Sequence, residues 1–126
     1  MHVRGKILLV DDNEDLCRNL ADILKLKKYE VTVVYDGTRA IEAIKKRGFD
    51  VVLMDVKMPG ISGIETLKII KQINPDLSVI FITAFADDIF YKQGLKDGDV
   101  EVVQKPMDID KFLDRINTIV TKKRIR

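Results

Sequence analysis

The 126-residue sequence predicts an α/β fold: a doubly wound, five-stranded parallel sheet with five helices on its two faces. Three observations predict it. Apolar runs of strand length fall at 6–10, 31–35, 50–54, 78–82 and 100–103, and nearly continuous Val, Ile and Leu mark strands buried on both faces. Between and after them lie segments whose apolar residues recur at helical spacing, and regular alternation of strand and helix builds a parallel sheet. Turn and capping residues punctuate the junctions.

The first strand, Lys6 to Val10, ends in Asp11 and Asp12. The helix after it aligns Leu16, Leu20, Ile23 and Leu24 on one face and closes on Lys25, Lys27 and Lys28. After the second strand, Asp36-Gly37-Thr38 turns and caps the second helix, which closes on Lys45, Lys46 and Arg47. The third strand runs into Asp55 and the loop-forming Met58-Pro59-Gly60; Ser62 caps the third helix, Ile64, Leu67, Ile70 and Ile73 form its stripe, and Asn74-Pro75-Asp76 ends it. The fourth strand ends in Thr83, a fourth helix is expected before the fifth strand, and that strand leads to Lys105. Asp108 caps the fifth helix, whose stripe is Ile109, Phe112, Leu113, Ile116 and Ile119. These stripes are core faces, and the sequence has no repeat or low-complexity linker.

The length suits one domain, 1–126, with a core at about 5–121 and a basic tail at 122–126. Charged residues make up 33% of the chain and hydrophobic ones 46%, ordinary for a globular protein, which argues against a disordered chain. No apolar stretch approaches membrane-span length and the N-terminus lacks a signal peptide's apolar segment, so a cytoplasmic location is expected. A net charge of +2, with the basic clusters at helix ends where cations offset the helix dipole, argues against direct nucleic-acid binding. The single cysteine, Cys17, has no Cys or His at metal-ligand spacing and reads as a small helix residue.

In an open parallel sheet the ligand site lies beyond the carboxyl ends of the strands, where the winding reverses. Periodicity does not choose the strand order; 2-1-3-4-5, borrowed from other doubly wound sheets, sets the ends of strands one and three side by side. Asp11, Asp12 and Asp55 would then converge, and two carboxylates about 4 Å apart repel by roughly 4 kcal/mol at an effective dielectric of 20. A raised pKa or a bound cation would offset that, and oxygen ligands without His or Cys select Mg²⁺, or Mn²⁺, over zinc. Lys105 adds an ammonium and Thr83 a hydroxyl. Such a set can grip anionic oxygens and carry out phosphoryl transfer, with Asp55 as the nucleophile that forms an aspartyl phosphate.

Four motifs carry a resemblance: Leu9-Val10-Asp11-Asp12-Asn13, Leu53-Met54-Asp55-Val56-Lys57-Met58-Pro59-Gly60, Thr83-Ala84 and Lys105-Pro106. In this order and at these strand ends, the sequence resembles the receiver domain of two-component response regulators over essentially its whole length. The resemblance implies the flavodoxin-like fold, Mg²⁺-dependent transfer from a sensor histidine kinase or phosphotransfer protein to Asp55, and slow autodephosphorylation. It implies that Asp12 ligates Mg²⁺ directly and Asp11 largely through water, with Asp55 and the backbone carbonyl of Lys57 completing the protein ligands. Thr83 and Lys105 would bind the phosphoryl group, and the bond before Pro106 would be cis. Phosphorylation would alter the surface of helix four, strand five and helix five, to control an output partner or an effector domain outside this sequence. The domain would act as a monomer or a phosphorylation-dependent dimer, modifying only itself and turning over no separate metabolite.

Val102 departs from the family, which usually has Tyr or Phe three residues before this lysine, so coupling through an aromatic rotamer is in question. Lys57 and Phe85 flank the site and are expected to tune water access to the acyl phosphate. A single strand-end Asp is ordinarily a turn or cap residue, and Asp11 or Asp12 could cap the first helix; the ordered set outweighs that reading. A haloacid-dehalogenase-type phosphatase needs an acid two residues after its nucleophile, where this chain has Lys57. A constitutive pseudo-receiver would have lost Asp55 or the acidic pair, and both are retained.

Overall fold

The computed structural model describes residues 3–84, 100–105 and 107–124. Five strands, β1 (Gly5–Val10), β2 (Tyr29–Val34), β3 (Val51–Asp55), β4 (Ser78–Thr83) and β5 (Val100–Gln104), form one parallel sheet in the order β2-β1-β3-β4-β5. The expected order is therefore the observed one. The described helices are α1 (Glu14–Leu26), α2 (Gly37–Lys46), α3 (Gly63–Ile73) and α4 (Ile109–Arg124), the last being the fifth of the expected helices. The expected fourth helix falls at residues outside the described ones. No helix among the described residues is long and apolar enough to cross a membrane.

Successive residues of a strand point to opposite faces, and the core divides accordingly. Ile7, Leu9, Val51, Leu53, Ile80 and Ile82 pack with Cys17, Leu20, Ala21 and Leu24 of α1 and Phe112, Ile116 and Val120 of α4. Leu8, Val10, Val52, Met54, Val79 and Phe81 pack with Ala40 and Ile44 of α2 and Ile64, Leu67 and Ile70 of α3. Ile73, expected in the α3 stripe, is instead 38% exposed, because the helix ends there and turns at Asn74.

The caps follow the sequence at three of four helices. Asp36 accepts the Arg39 N–H at 2.8 Å, Ser62 accepts the Glu65 N–H at 3.1 Å, and Asp108 accepts the Asp110 and Lys111 N–H groups at 3.1 and 3.2 Å. At α1 the cap is Asn13, which accepts the Leu16 N–H at 3.1 Å, in place of the Asp11 or Asp12 weighed for that role. β2 begins at Tyr29, ahead of the apolar run, since Tyr29 and Glu30 pair with Gly5 and Lys6 and Lys28, at φ 74°, turns the chain straight from α1 into the sheet. The last helix reaches Arg124, so Lys122 and Lys123 of the expected tail are helical, and Lys123 donates to the Asp76 carbonyl.

Candidate functional site

The ladder registers set the site. β1 and β3 pair Val10 with Met54, which brings the next residues, Asp11 and Asp55, level at adjacent strand ends. β4 pairs Thr83 with Gln104, and the following Lys105 N–H donates to the Thr83 carbonyl at 2.8 Å. One carboxylate oxygen from each of Asp11, Asp12 and Asp55 lies within 4.8 Å of the other two. Asp11 is buried, Asp55 half-buried and Asp12 exposed.

Local bonds fix Asp11. Its Oδ1 accepts the Asn13 N–H at 2.9 Å, its own N–H donates to the Val34 carbonyl at 3.3 Å, and its carbonyl accepts the Cys17 thiol at 3.4 Å. With Asn13 as the α1 cap, both acids of the pair are left to the cluster. Lys105 Nζ stands 3.8 Å from Asp11 Oδ2, so this lysine is paired within the site and is not merely a solvated edge charge.

Burial pushes the Asp11 carboxyl above its ordinary range; the Asn13 N–H opposes that, the Asp55 charge adds to it, Lys105 opposes it and Asp12 adds to it. Burial, with the charges of Asp11, Asp12 and Glu14, pushes the Cys17 thiol up to about 11, which suits a packed helix residue and not a reactive thiolate. Thr83 is buried at the end of β4 and Ala84, next to it, is exposed. Lys57 is exposed in the loop after β3, and Val102 is half-buried opposite Phe81. Phe85 and Pro106, with the peptide bond expected to be cis, lie outside the described residues.

The donor set fits a hard divalent cation. Three carboxylates share one small space, no His or Cys stands among them, and Lys105 at 3.8 Å from Asp11 is the one cation the salt bridges among the described residues place on them. Sequence reasoning passed over two residues that shape this end of the sheet, Asn13 and Phe81, and put down a third, Gly63, to loop conformation, whereas its φ is not positive and space is what it needs. Asn13 was legible as a cap, since Asn stands just ahead of the helical pattern. Phe81 reads as one more apolar strand residue, and Gly63, whose added Cβ would stand 2.5 Å from the Asp55 carbonyl oxygen, looks like any loop glycine.

Comparison with known proteins bears on this site. Residues 7–117 match the family described as the response regulator receiver domain. The transcriptional regulatory protein ZraR of Klebsiella oxytoca is 38% identical over 106 residues, 84% of this chain and 24% of that protein. The uncharacterized transcriptional regulatory protein YkoG of Bacillus subtilis is 38% identical over 114 residues, 90% of this chain and 50% of that one. The chain thus spans a quarter to a half of the length of these relatives. Among solved structures, the response regulator TrrA of Thermotoga maritima, in complex with Mg²⁺–BeF, superposes with a TM-score of 0.80 at 28% identity, covering 91% of this chain and 98% of that one.

Proposed function

Since the chain belongs to the response regulator receiver family of two-component signalling, we propose that it is a phosphoacceptor switch in which Asp55 receives a phosphoryl group from the phosphohistidine of a sensor histidine kinase or a phosphotransfer protein. The observation that carries this reading is the convergence of Asp11, Asp12 and Asp55 within 4.8 Å, with Lys105 on Asp11 at 3.8 Å. An Asp55 oxygen attacks phosphorus as the bond to the imidazole nitrogen breaks, and the released imidazole takes up a proton. Receiver domains are signalling modules and not classical enzymes, and the chemistry here is confined to the chain's own acceptor.

Asp12, Asp55 and the Lys57 carbonyl, with Asp11 largely through water, would hold Mg²⁺ or Mn²⁺; when bound, the ion supplies positive charge against the carboxylates and phosphoryl oxygens. Lys105 is the mobile counter-charge. It pairs with Asp11 in the unphosphorylated chain and would turn to the phosphoryl oxygens, where an ammonium acts as a point charge. The Thr83 hydroxyl would donate to the same group, and the Lys57 and Phe85 side chains, flanking the acceptor, would set how fast water hydrolyses the acyl phosphate. The phosphoryl group adds about two negative charges, which would reshape the loop at Thr83 and Ala84 and the surface formed by the segment after it, β5 and α4. The reader of that surface would be an output domain or a separate partner. TrrA binds Mg²⁺–BeF, and the acid cluster of this chain is proposed to take the same pair.

Acetyl phosphate with Mg²⁺ tests the proposal by intact mass. One phosphoryl adduct is expected on the wild type, and none on Asp55→Asn or in excess chelator. A wild type that stays unmodified, indistinguishable from Asp55→Asn, would refute it.

A further inference from the structure

The loop joining β3 to α3, residues 56–62, is held between two glycines that leave no room for a side chain. At its neck the Gly63 N–H donates to the Val56 carbonyl at 2.8 Å. A methyl group on Gly63 would stand 2.5 Å from the Asp55 carbonyl oxygen and 2.8 Å from Val56 Cα. These are backbone atoms that cannot turn aside. On its other side the loop rests on Gly37, the buried first residue of α2, where a methyl group would stand 2.1 Å from Thr66 Oγ1 and 2.8 Å from Ile61 Cγ1.

Neither glycine has a positive φ, so the requirement is space and not backbone conformation. Thr66 is fully buried and its hydroxyl donates to the Ser62 carbonyl at 2.8 Å, which ties the atom facing Gly37 to the cap residue of α3. Ile61 belongs to the loop itself, four residues from Lys57. The start of α2 is therefore seated directly against the loop that carries the Lys57 carbonyl past Asp55.

We infer that Gly37, which lies on α2 outside the acid cluster, is a positioning residue for the cation and phosphoryl site. By seating Ile61 and Thr66 it holds the loop down on the Gly63 neck and so sets where the backbone of residues 56–58 stands relative to Asp55. The inference rests on the reading of the Lys57 carbonyl as a metal ligand. A side chain at 37 would have to displace the Thr66 hydroxyl and the Ile61 side chain, and close packing would pass that displacement on to the start of α3 and the loop.

Calorimetric Mg²⁺ titration of the full chain tests this, together with hydrogen exchange at the Gly63 amide in metal-free protein. Gly37→Ala is expected to bind Mg²⁺ about tenfold more weakly, the loss typical of a removed outer-shell contact, and to exchange the Gly63 amide faster. Gly48→Ala, a glycine with nothing within 4 Å of an added Cβ, should match the wild type in both. Should Gly37→Ala fail to fold, Ile61→Ala removes the seated side chain and is expected to change both readouts in the same directions. Wild-type affinity with wild-type Gly63 exchange in the folded variants would overturn the inference. A wild type that binds no Mg²⁺ would refute the metal reading instead, and the exchange measurement would still decide whether the seat holds the loop.

Discussion

Replacing Asp11 by Asn separates the cost of assembling the site from its use. The variant keeps an oxygen for the Asn13 N–H at 2.9 Å and removes one charge from the cluster. Repulsion between Asp11 and Asp55, whose nearest oxygens lie within 4.8 Å, is about 3.5 kcal/mol or more at an effective dielectric of 20. Attraction to Lys105 at 3.8 Å is about 4 kcal/mol on the same scale. The two nearly cancel, and repulsion from the exposed Asp12 adds a smaller cost. The larger remaining cost is the burial of a carboxylate only 3% exposed, which is still several kcal/mol after relaxation.

With part of that returned by the Asn13 bond, Asp11→Asn is expected to be about 1 to 3 kcal/mol more stable than wild type at pH 7 in chelator. At this chain length that raises Tm by about 4 °C per kcal/mol. The sign follows from the raised pKa. A carboxyl raised in the folded state favours folding in its protonated form, so its ionisation costs stability above the folded pKa and costs nothing below the ordinary value of 3.8. The advantage of Asn should be full at pH 7 and shrink as pH falls through the raised Asp11 pKa. Millimolar Mg²⁺ should reverse the order, because the wild type gains binding free energy that the variant gives up. Thermal melts across pH, with chelator or with Mg²⁺, check all of this. An Asn variant less stable than wild type at pH 7 in chelator would show that the Lys105 pair outweighs burial, and would refute the reasoning.

Ser62→Ala removes the α3 cap and its reciprocal bond to Glu65 at 3.2 Å and is expected to cost about 1 kcal/mol in urea denaturation. Phe81→Ala empties a fully buried aromatic site and is expected to cost about 3 to 5 kcal/mol by the same assay. Val102→Tyr is expected to increase the phosphorylation-dependent amide shifts of residues 85–99, and unchanged shifts would exclude an aromatic at 102 as the missing coupling.

Alternation made the sheet legible, because strands buried on both faces have to be apolar throughout and the helices between them have to be striped. The acid cluster was legible for a related reason. Asp11, Asp12 and Asp55 interrupt apolar runs at strand ends, where a carboxylate needs a cause, and the observed registers bring them together as expected. Contacts decided by shape were hidden. The pairing of Tyr29 and Glu30 with Gly5 and Lys6 comes from the Lys28 turn and not from an apolar pattern. Gly37 and Gly63 are ordinary turn glycines in the sequence, and only the packing of Thr66 and Ile61 on the first and of the Asp55–Val56 backbone on the second shows that nothing larger fits.

Val102 gains its meaning from the strand beside it. The β4–β5 ladder sets it opposite Phe81, which lies two residues before Thr83 on the same face of β4 and is fully buried. A methyl group on Gly63 would meet the Phe81 ring at 3.1 Å, so this ring is packed against the start of α3. Aromatic bulk beside the threonine therefore sits on β4, between Val102 and the helix that closes the acceptor loop. A half-exposed ring at position 102 could swing between solvent and core; a buried ring in a close-packed layer cannot turn without displacing its neighbours. An inward pull on Thr83 would accordingly be passed on by the backbone beyond Ala84, or by the start of α3 shifting against Phe81. Phe81→Leu separates these routes: it should weaken phosphorylation-dependent shifts in α3 if the ring transmits them, and leave them intact if the backbone beyond Ala84 carries the signal alone.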